Sequence, residues 1–150
     1  MTTTTPASFA TSLTAFAASA APRTTGAVEG TPRALLRLEG AALMALALAA
    51  YAHFALASWG LFAALFLAPD LAFVGYLAGP RVGAAAYNAT HSTLGAVLLG
   101  AIAVALAQPT LGAVALVWAA HVGFDRMMGY GLKYGSAFGH THLGRIGKDA

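Results

Sequence analysis

Residues 33–79 read RALLRLEGAALMALALAAYAHFALASWGLFAALFLAPDLAFVGYLAG, 47 positions with four charged residues among them: Arg33, Arg37, Glu39 and Asp70. A bilayer's hydrocarbon core takes about 20 apolar residues per helix, so this stretch is too long for one span and has the length of two. Its apolar run is interrupted near His53 to Trp59. We therefore expect a hairpin, with a first helix over about Leu35–Phe54 and a second over about Ser58–Leu77, and with Tyr51, His53 and Trp59 at the membrane interface around the turn. Pro69 falls inside the second helix and should kink or break it, because proline lacks the N–H that an α-helix requires.

The same pattern continues outward. Gly79, Pro80 and Arg81 mark a turn. A third helix is expected from about Val82 to Leu106, a turn at Gln108 and Pro109, and a fourth helix from about Thr110 to Tyr130. The whole chain of 150 residues is 59% hydrophobic and 9% charged, with a mean hydropathy of +0.71. Soluble domains carry about 25% charged residues. The expected fold is therefore all-α, a polytopic transmembrane four-helix bundle. Alanine and glycine suit it, since small residues let helix backbones approach closely in lipid.

Three regions follow: a disordered Thr/Ala-rich tail over 1–32, the four-helix transmembrane domain over 33–132, and a basic, glycine-rich cytoplasmic tail over 133–150. The N-terminal stretch lacks the basic opening of a secretory signal, so cleavage by a signal peptidase is not expected. Cysteine is absent, which excludes disulfides and thiolate metal sites. The eight Lys and Arg form no patch interleaved with aromatics, so nucleic acid is rejected as a partner. They fall instead in the flanks: Arg23, Arg33 and Arg37 before the first helix, Arg81 between the second and third, and Arg126, Lys133, Arg145 and Lys148 at the end. With four spans all eight share one face, and positive flanks stay on the cytoplasmic side. The expectation is a multi-pass protein of a bacterial inner membrane with both termini cytoplasmic. The lipid bilayer is the expected partner, and a homo-oligomer or larger membrane complex is left open.

Ionisable groups in a span cost about 2.5–3.5 kcal/mol each on insertion scales and mark candidate functional sites. Here they are Glu39, Asp70, His91, His121 and Asp125, with Asn88 beside them, and at about 1.5 Å rise per residue most reach a common layer in the cytoplasmic half. Tyr87 and His91 are four apart, as are His121 and Asp125, so each pair shares a helical face. Histidine nitrogen and carboxylate oxygen from several helices is how metal sites are built in bundle cores. The candidate ligand set is Asp70, His91, His121 and Asp125, for zinc or iron, with Glu39 as a further ligand or a general base.

Competing readings stand beside this. Glu39 and Asp125 could pair with Arg37, Arg81 or Arg126. Asp70 could cap a helix broken at Pro69, and His91 could be a satisfied core histidine. His91 and His121 could hold a haem, though their depths differ. His140 and His142, in GHTH, read as solvated tail histidines. The function classes left are a membrane protein with a polar, metal-binding cluster, a metal-dependent hydrolase at the membrane surface, or a non-catalytic accessory subunit.

The strings RLEGAALMALALAAY, FLAPDLAFVGYLAGPRVGAAAYNATHS, HVGFDRMMGYGLKYGSAF and THLGRIG resemble a bacterial family of small membrane proteins known as domain of unknown function 4260. The resemblance covers about Leu36 to Gly147 and implies a compact helical membrane protein with no assigned activity. Pro69, Asp70, His91 and Ser92 are also similar to the PD and HS elements of membrane-bound metal-dependent hydrolases. The basic residue that accompanies the histidine in that pattern is missing here.

Overall fold

A computed structural model describes residues 26–54 and 56–147; most of the expected N-terminal tail, Arg23 included, and Lys148 near the other end lie outside the described residues. The first helix, α1 (Gly30–Phe54), is a single rod of 25 residues. The second rod begins as α2 (Trp59–Phe66), opened by the Ser58 hydroxyl accepting from the Leu61 amide at 3.2 Å. Pro69 then has its expected effect. The helix does not stop but tightens into a 3₁₀ helix over Ala68–Ala78, with proline in its first turn where a missing N–H does no harm. Gly79, at φ 107°, turns the chain into α3 (Pro80–His91). Such positive φ strains any residue with a Cβ.

The third rod departs from expectation. It was read as one helix, but it is broken at Ser92, whose extended backbone (φ −82°, ψ 146°) separates α3 from α4 (Thr93–Ala105). The two halves meet at 41°. A break in a low-dielectric interior frees carbonyls that must find donors, and α5 (Pro109–Met128) supplies them. The Trp118 indole N–H donates to the Thr90 carbonyl, and the Arg126 guanidinium donates to the His91 carbonyl at 3.1 Å. Gly95 makes room for this, since a Cβ there would fall 2.5 Å from the Trp118 ring.

α5 is the axis of the bundle. It packs against α1, α2 and α4, and His121, Val122, Gly123 and Asp125 are among its buried residues. Against α1 it runs antiparallel: Arg37 Nε donates to the Met127 carbonyl at 2.9 Å, while Tyr51 packs with Ala113 and Val117 at the other end. The backbones are nearly in contact at the crossing, where a Cβ on Gly40 would lie 2.9 Å from the Gly123 carbonyl and one on Gly123 2.6 Å from the Met44 amide. Tyr51, expected at the interface, is instead buried and donates to the Ser58 carbonyl at 2.7 Å.

The outside of the bundle is apolar and the inside carries the polar groups. Leu77 is 90% and Val104 83% exposed, whereas His91 and His121 are each 1% exposed. That inversion of the soluble pattern is what lipid as solvent demands. α1 and the rod Trp59–Ala78 are each long and apolar enough to cross a membrane, and α3 with α4 makes a third if the bent pair is one span. α5, with His121, Asp125 and Arg126, is not among them.

The chain after α5 is folded rather than loose. Gly129, at φ 93°, ends the helix, and strands β1 (His140–Thr141) and β2 (Gly144–Arg145) form a small antiparallel hairpin. Asn88 and Lys133 exchange two hydrogen bonds, 2.8 Å and 2.7 Å, which tie this segment to α3. The Val28 amide donates to the His142 carbonyl at 2.7 Å and the Tyr134 hydroxyl to the Gly26 carbonyl at 2.7 Å. The two ends of the described chain thus meet at one end of the bundle. Arg33, Arg81 and Arg145 gather there as well, with Arg33 against Gly144 and Arg81 against Gly135.

Candidate metal centre

Three elements deliver four ionisable groups to one point. The tight turn after Pro69 presents Asp70, the last residue of α3 presents His91, and one face of α5 presents His121 and Asp125. His91 Nε2 lies 3.2 Å from Asp70 Oδ1, 3.5 Å from Asp125 Oδ2 and 3.1 Å from His121 Nε2. His121 Nε2 lies 3.7 Å from Asp70 Oδ1 and 3.9 Å from Asp125 Oδ2. One ligand atom each from Asp70, His91 and His121 falls within a mutual 4.8 Å, a group that Asp125, the fourth expected ligand, does not join. Tetrahedral ligands with bonds near 2.0–2.1 Å sit about 3.3 Å apart, so the spacing has the scale of a coordination shell.

The hydrogen bonds around His91 define which atom faces that point. Nδ1 lies 2.9 Å from the Tyr87 carbonyl, which only accepts. With the Thr90 hydroxyl, also 2.9 Å from Nδ1, donating to the Pro69 carbonyl, the neutral ring carries its hydrogen on Nδ1 and a lone pair on Nε2. That lone pair points at two carboxylate oxygens and a second imidazole nitrogen. Such a gathering of acceptors needs a proton or a metal cation between its members: His121 Nε2–H can donate to His91 Nε2 at 3.1 Å, and a metal ion suits the same mixture of nitrogen and oxygen. An N–H to carbonyl bond behind a ligating histidine is also the usual support of metal centres.

Tyr87 supports the site twice. Its hydroxyl donates to Asp125 Oδ2 at 2.9 Å, and its ring stacks on His91 with centroids 3.6 Å apart. The Thr90 hydroxyl joins the halves by bonding to the Pro69 carbonyl at 3.1 Å. His121 is held by ring packing, with Phe66 edge-on at 5.4 Å, and its buried Nδ1 has no hydrogen-bond partner among the described residues. Asp70 is the member nearest to an opening, its side chain 33% exposed against 10% for Asp125.

Glu39 is not brought to this cluster. It is exposed on α1, and no ion pair or hydrogen bond joins it to the four among the described residues. Depth along the axis matches, but the buried face of α1 is that of Gly40, Ala47 and Tyr51, and one residue from Gly40 is a turn of about 100° around a 3.6-residue helix. The arginine pairing considered for Asp125 is absent too, because Arg126 spends its donors on the carbonyls of His91 and Tyr130. A haem shared by His91 and His121 does not fit, since 3.1 Å between their Nε2 atoms leaves no room for an iron with two bonds near 2 Å and a porphyrin plane between.

The sequence reading weighed Arg126 only as an ion-pair partner and missed the parts of Thr90 and Lys133, while the Trp118 indole N–H, expected to want a partner, finds it in the Thr90 carbonyl. Lys133 is 4% exposed; its ammonium donates to the Phe138 carbonyl at 3.0 Å and lies 3.7 Å from the Phe138 ring centroid and 4.8 Å from that of Tyr87. Burial pushes its pKa down to about 8, with the Asp125 carboxylate opposing the shift. His142, read as a solvated histidine, accepts at Nδ1 from the Leu132 amide at 2.8 Å. Its pKa is lowered by burial and by the neighbouring Arg126 charge, against a hydrogen bond to Leu132.

No curated protein and no solved structure matches this chain. The model of a family described as Domain of unknown function (DUF4260) matches residues 33–146, which takes in every helix but the first turn of α1, the metal-centre candidates and the hairpin. The chain belongs to the DUF4260 family.

Proposed function

We propose that this is a multi-pass membrane protein that holds one zinc or iron ion through Asp70, His91, His121 and Asp125, and that the ion serves hydrolytic chemistry near the membrane surface. The observation that supports the reading is the approach of one atom each from Asp70, His91 and His121 to within a mutual 4.8 Å, with Asp125 Oδ2 beside them, 3.5 Å from His91 Nε2 and 3.9 Å from His121 Nε2. Two carboxylates and two imidazoles in a low-dielectric core are costly unless a cation compensates them. With three of these groups as ligands and a fourth position open, a divalent ion would supply Lewis-acid chemistry, polarising a substrate oxygen or acidifying a water.

The chain's own groups have distinct parts in this. Tyr87 orients Asp125 by its hydroxyl and His91 by its carbonyl and ring. Asp70, beside the opening, is the ligand that a substrate or water meets first. The exposed position of Glu39 leaves it without a part. The meeting of the chain ends among arginines supports a cytoplasmic location for both termini, by the retention of positive charge on that side.

The test is metal analysis of the full-length protein purified in detergent. About one zinc or iron per chain is expected, falling to under a tenth in His91→Ala and His121→Ala, with Asp70→Asn weakening retention at least tenfold. Substoichiometric metal that none of these substitutions changes would overturn the reading. The accessory-subunit alternative would then stand, with the same cluster acting through shared protons to fix helix register.

A further inference from the structure

The basic end of the bundle carries more positive charge than it neutralises. Every ion pair among the described residues joins Asp70 or Asp125 to a histidine, so no arginine among them meets a carboxylate. Arg37 and Arg126 donate to carbonyls instead, Arg37 to that of Met127 and Arg126 to those of His91 and Tyr130. The Gly129 and Tyr130 amides donate to the carbonyls of Arg126 and Asp125, so the carbonyls of Asp125, Arg126 and Met127 in the last turn of α5 all have donors. Arg33 is left without a capping task. Its Nε is buried with no acceptor among the described residues, and the same holds for Arg145 Nε.

Arg33 and Arg37 are four residues apart on α1 and share a helical face. They converge on the end of α5. A Cβ on Gly129 would lie 3.9 Å from Arg33 Nη2 and 3.8 Å from Arg37 Nε, so the two guanidinium groups stand closer than the roughly 10 Å over which 0.1 M salt screens charge. Arg33 also reaches the hairpin, where its Cζ would be 3.3 Å from a Cβ on Gly144, and Arg145 is the next residue of β2. Like charges at this separation repel, and a buried N–H without an acceptor adds a further cost. An anion between the two groups offsets both. The Nε–H and Nη–H edge of a guanidinium matches two oxygens of a phosphate.

The surroundings indicate where such an anion comes from. Leu35 and Leu38, interleaved with the arginines on α1, and Met128 and Tyr130 on either side of Gly129 are all exposed. Apolar surface of the kind that faces lipid therefore runs up to the basic pair, and an anion that satisfies both carries its own hydrocarbon. We infer that Arg33 and Arg37 form a phosphate-binding site for the headgroup of an anionic phospholipid, whose acyl chains lie along the exposed leucines of α1. The site belongs to α1 and its contacts with Gly129 and the hairpin, and it stands independently of the metal reading.

The test is native mass spectrometry of the full-length protein in detergent, with dioleoyl phosphatidylglycerol or dioleoyl phosphatidylcholine added at equal concentration. The chains are the same, and only the second headgroup brings a cation toward the arginines. Wild type should retain phosphatidylglycerol at least fivefold more than phosphatidylcholine. Arg33→Gln should bring the two level, and Arg33→Lys, which keeps the charge and loses the planar fork, should fall between. If Arg33→Gln does not fold, the partial loss in Arg33→Lys decides. Arg81→Gln, which removes an exposed charge lying against Gly135, should keep the full preference. Metal content should not change with any of these substitutions, which keeps the outcome separate from the metal reading.

Thermal unfolding in the same detergent separates lipid from free phosphate. Phosphatidylglycerol should raise the melting temperature of wild type and not of Arg33→Gln, and glycerol 1-phosphate at the same concentration should leave both unchanged. Equal retention of the two lipids by wild type, or a loss of preference in Arg81→Gln as large as in Arg33→Gln, would overturn the inference. Stabilisation by glycerol 1-phosphate as large as by the lipid would assign the pair to a free phosphate ester and overturn the choice of a lipid.

Discussion

Two helix breaks flank the cluster, and they are made in different ways. At Pro69 the cause is covalent: a residue without an N–H cannot continue the α ladder, and the rod answers by tightening to 3₁₀ geometry, which brings Asp70 round to the core. At Ser92 no residue forbids a helix. The chain stays extended there because α5 offers the freed carbonyls of Thr90 and His91 an indole and a guanidinium, and because Gly95 lets the indole approach. One break is written into a single residue and the other is a bargain among five. The difference teaches that a residue of the cluster can be fixed locally, as Asp70 is, or only by the assembled bundle, as His91 is.

The sharpest way to break this comparison is at the assembled break. Arg126→Ala removes the donor to two carbonyls, those of His91 and Tyr130, and leaves the former in an apolar interior. A loss of about 1–3 kcal/mol is expected, the cost of a buried unsatisfied group, with Trp118→Phe at the lower end of that range. Unfolding in mixed micelles measures it. Both variants should also loosen metal retention, since His91 then loses its fixed direction. If both retain wild-type stability, the break at Ser92 is held by something other than α5.

Pro69→Ala asks the converse and should do less. It supplies an N–H and permits α geometry to continue, so no polar group is stranded, and stability should change by under about 1 kcal/mol. The ladder would then carry Asp70 away from His91, and metal affinity should fall about tenfold with the fold intact. A variant that loses stability but keeps its metal would show that proline shapes packing rather than the ligand.

The same contrast explains what could be read from the sequence. Polar residues inside apolar runs are conspicuous, and the i, i+4 spacings Tyr87–His91 and His121–Asp125 put the partners on shared faces, so the close approach of Asp70, His91 and His121, with Asp125 beside the histidines, was legible before any coordinates. Proline announced its break. The break at Ser92 was not legible, because its cause lies at Trp118 and Arg126, some 26 to 34 positions downstream. Glu39 misled because depth is readable from hydropathy while rotation about the axis depends on which face α5 chooses. Gly40, one residue on, marks that face by permitting backbone contact. The hairpin escaped notice since a glycine-rich stretch has no periodicity, and its order comes from distant contacts such as Val28 with His142.

Lys133 offers the finest probe of the assembled side, since its burial under Phe138 and Tyr87 exists only when α3 and the hairpin are joined. Its pKa of about 8 in the folded protein stands below the 10.5 of the free side chain. Between those values the unfolded chain binds more protons than the folded one, so stability should rise with pH from about 8 to 10.5 and be flat, for this group, below 8. The aromatic faces around the ammonium favour its charged form and oppose the rise; the attraction of Asp125 is already part of the pKa. Lys133→Met, which keeps the apolar stem, should abolish the slope while leaving the metal in place. A slope that persists in Lys133→Met would assign it to another group, and one of opposite sign would mean that the ammonium is better accommodated in the folded hairpin than in water.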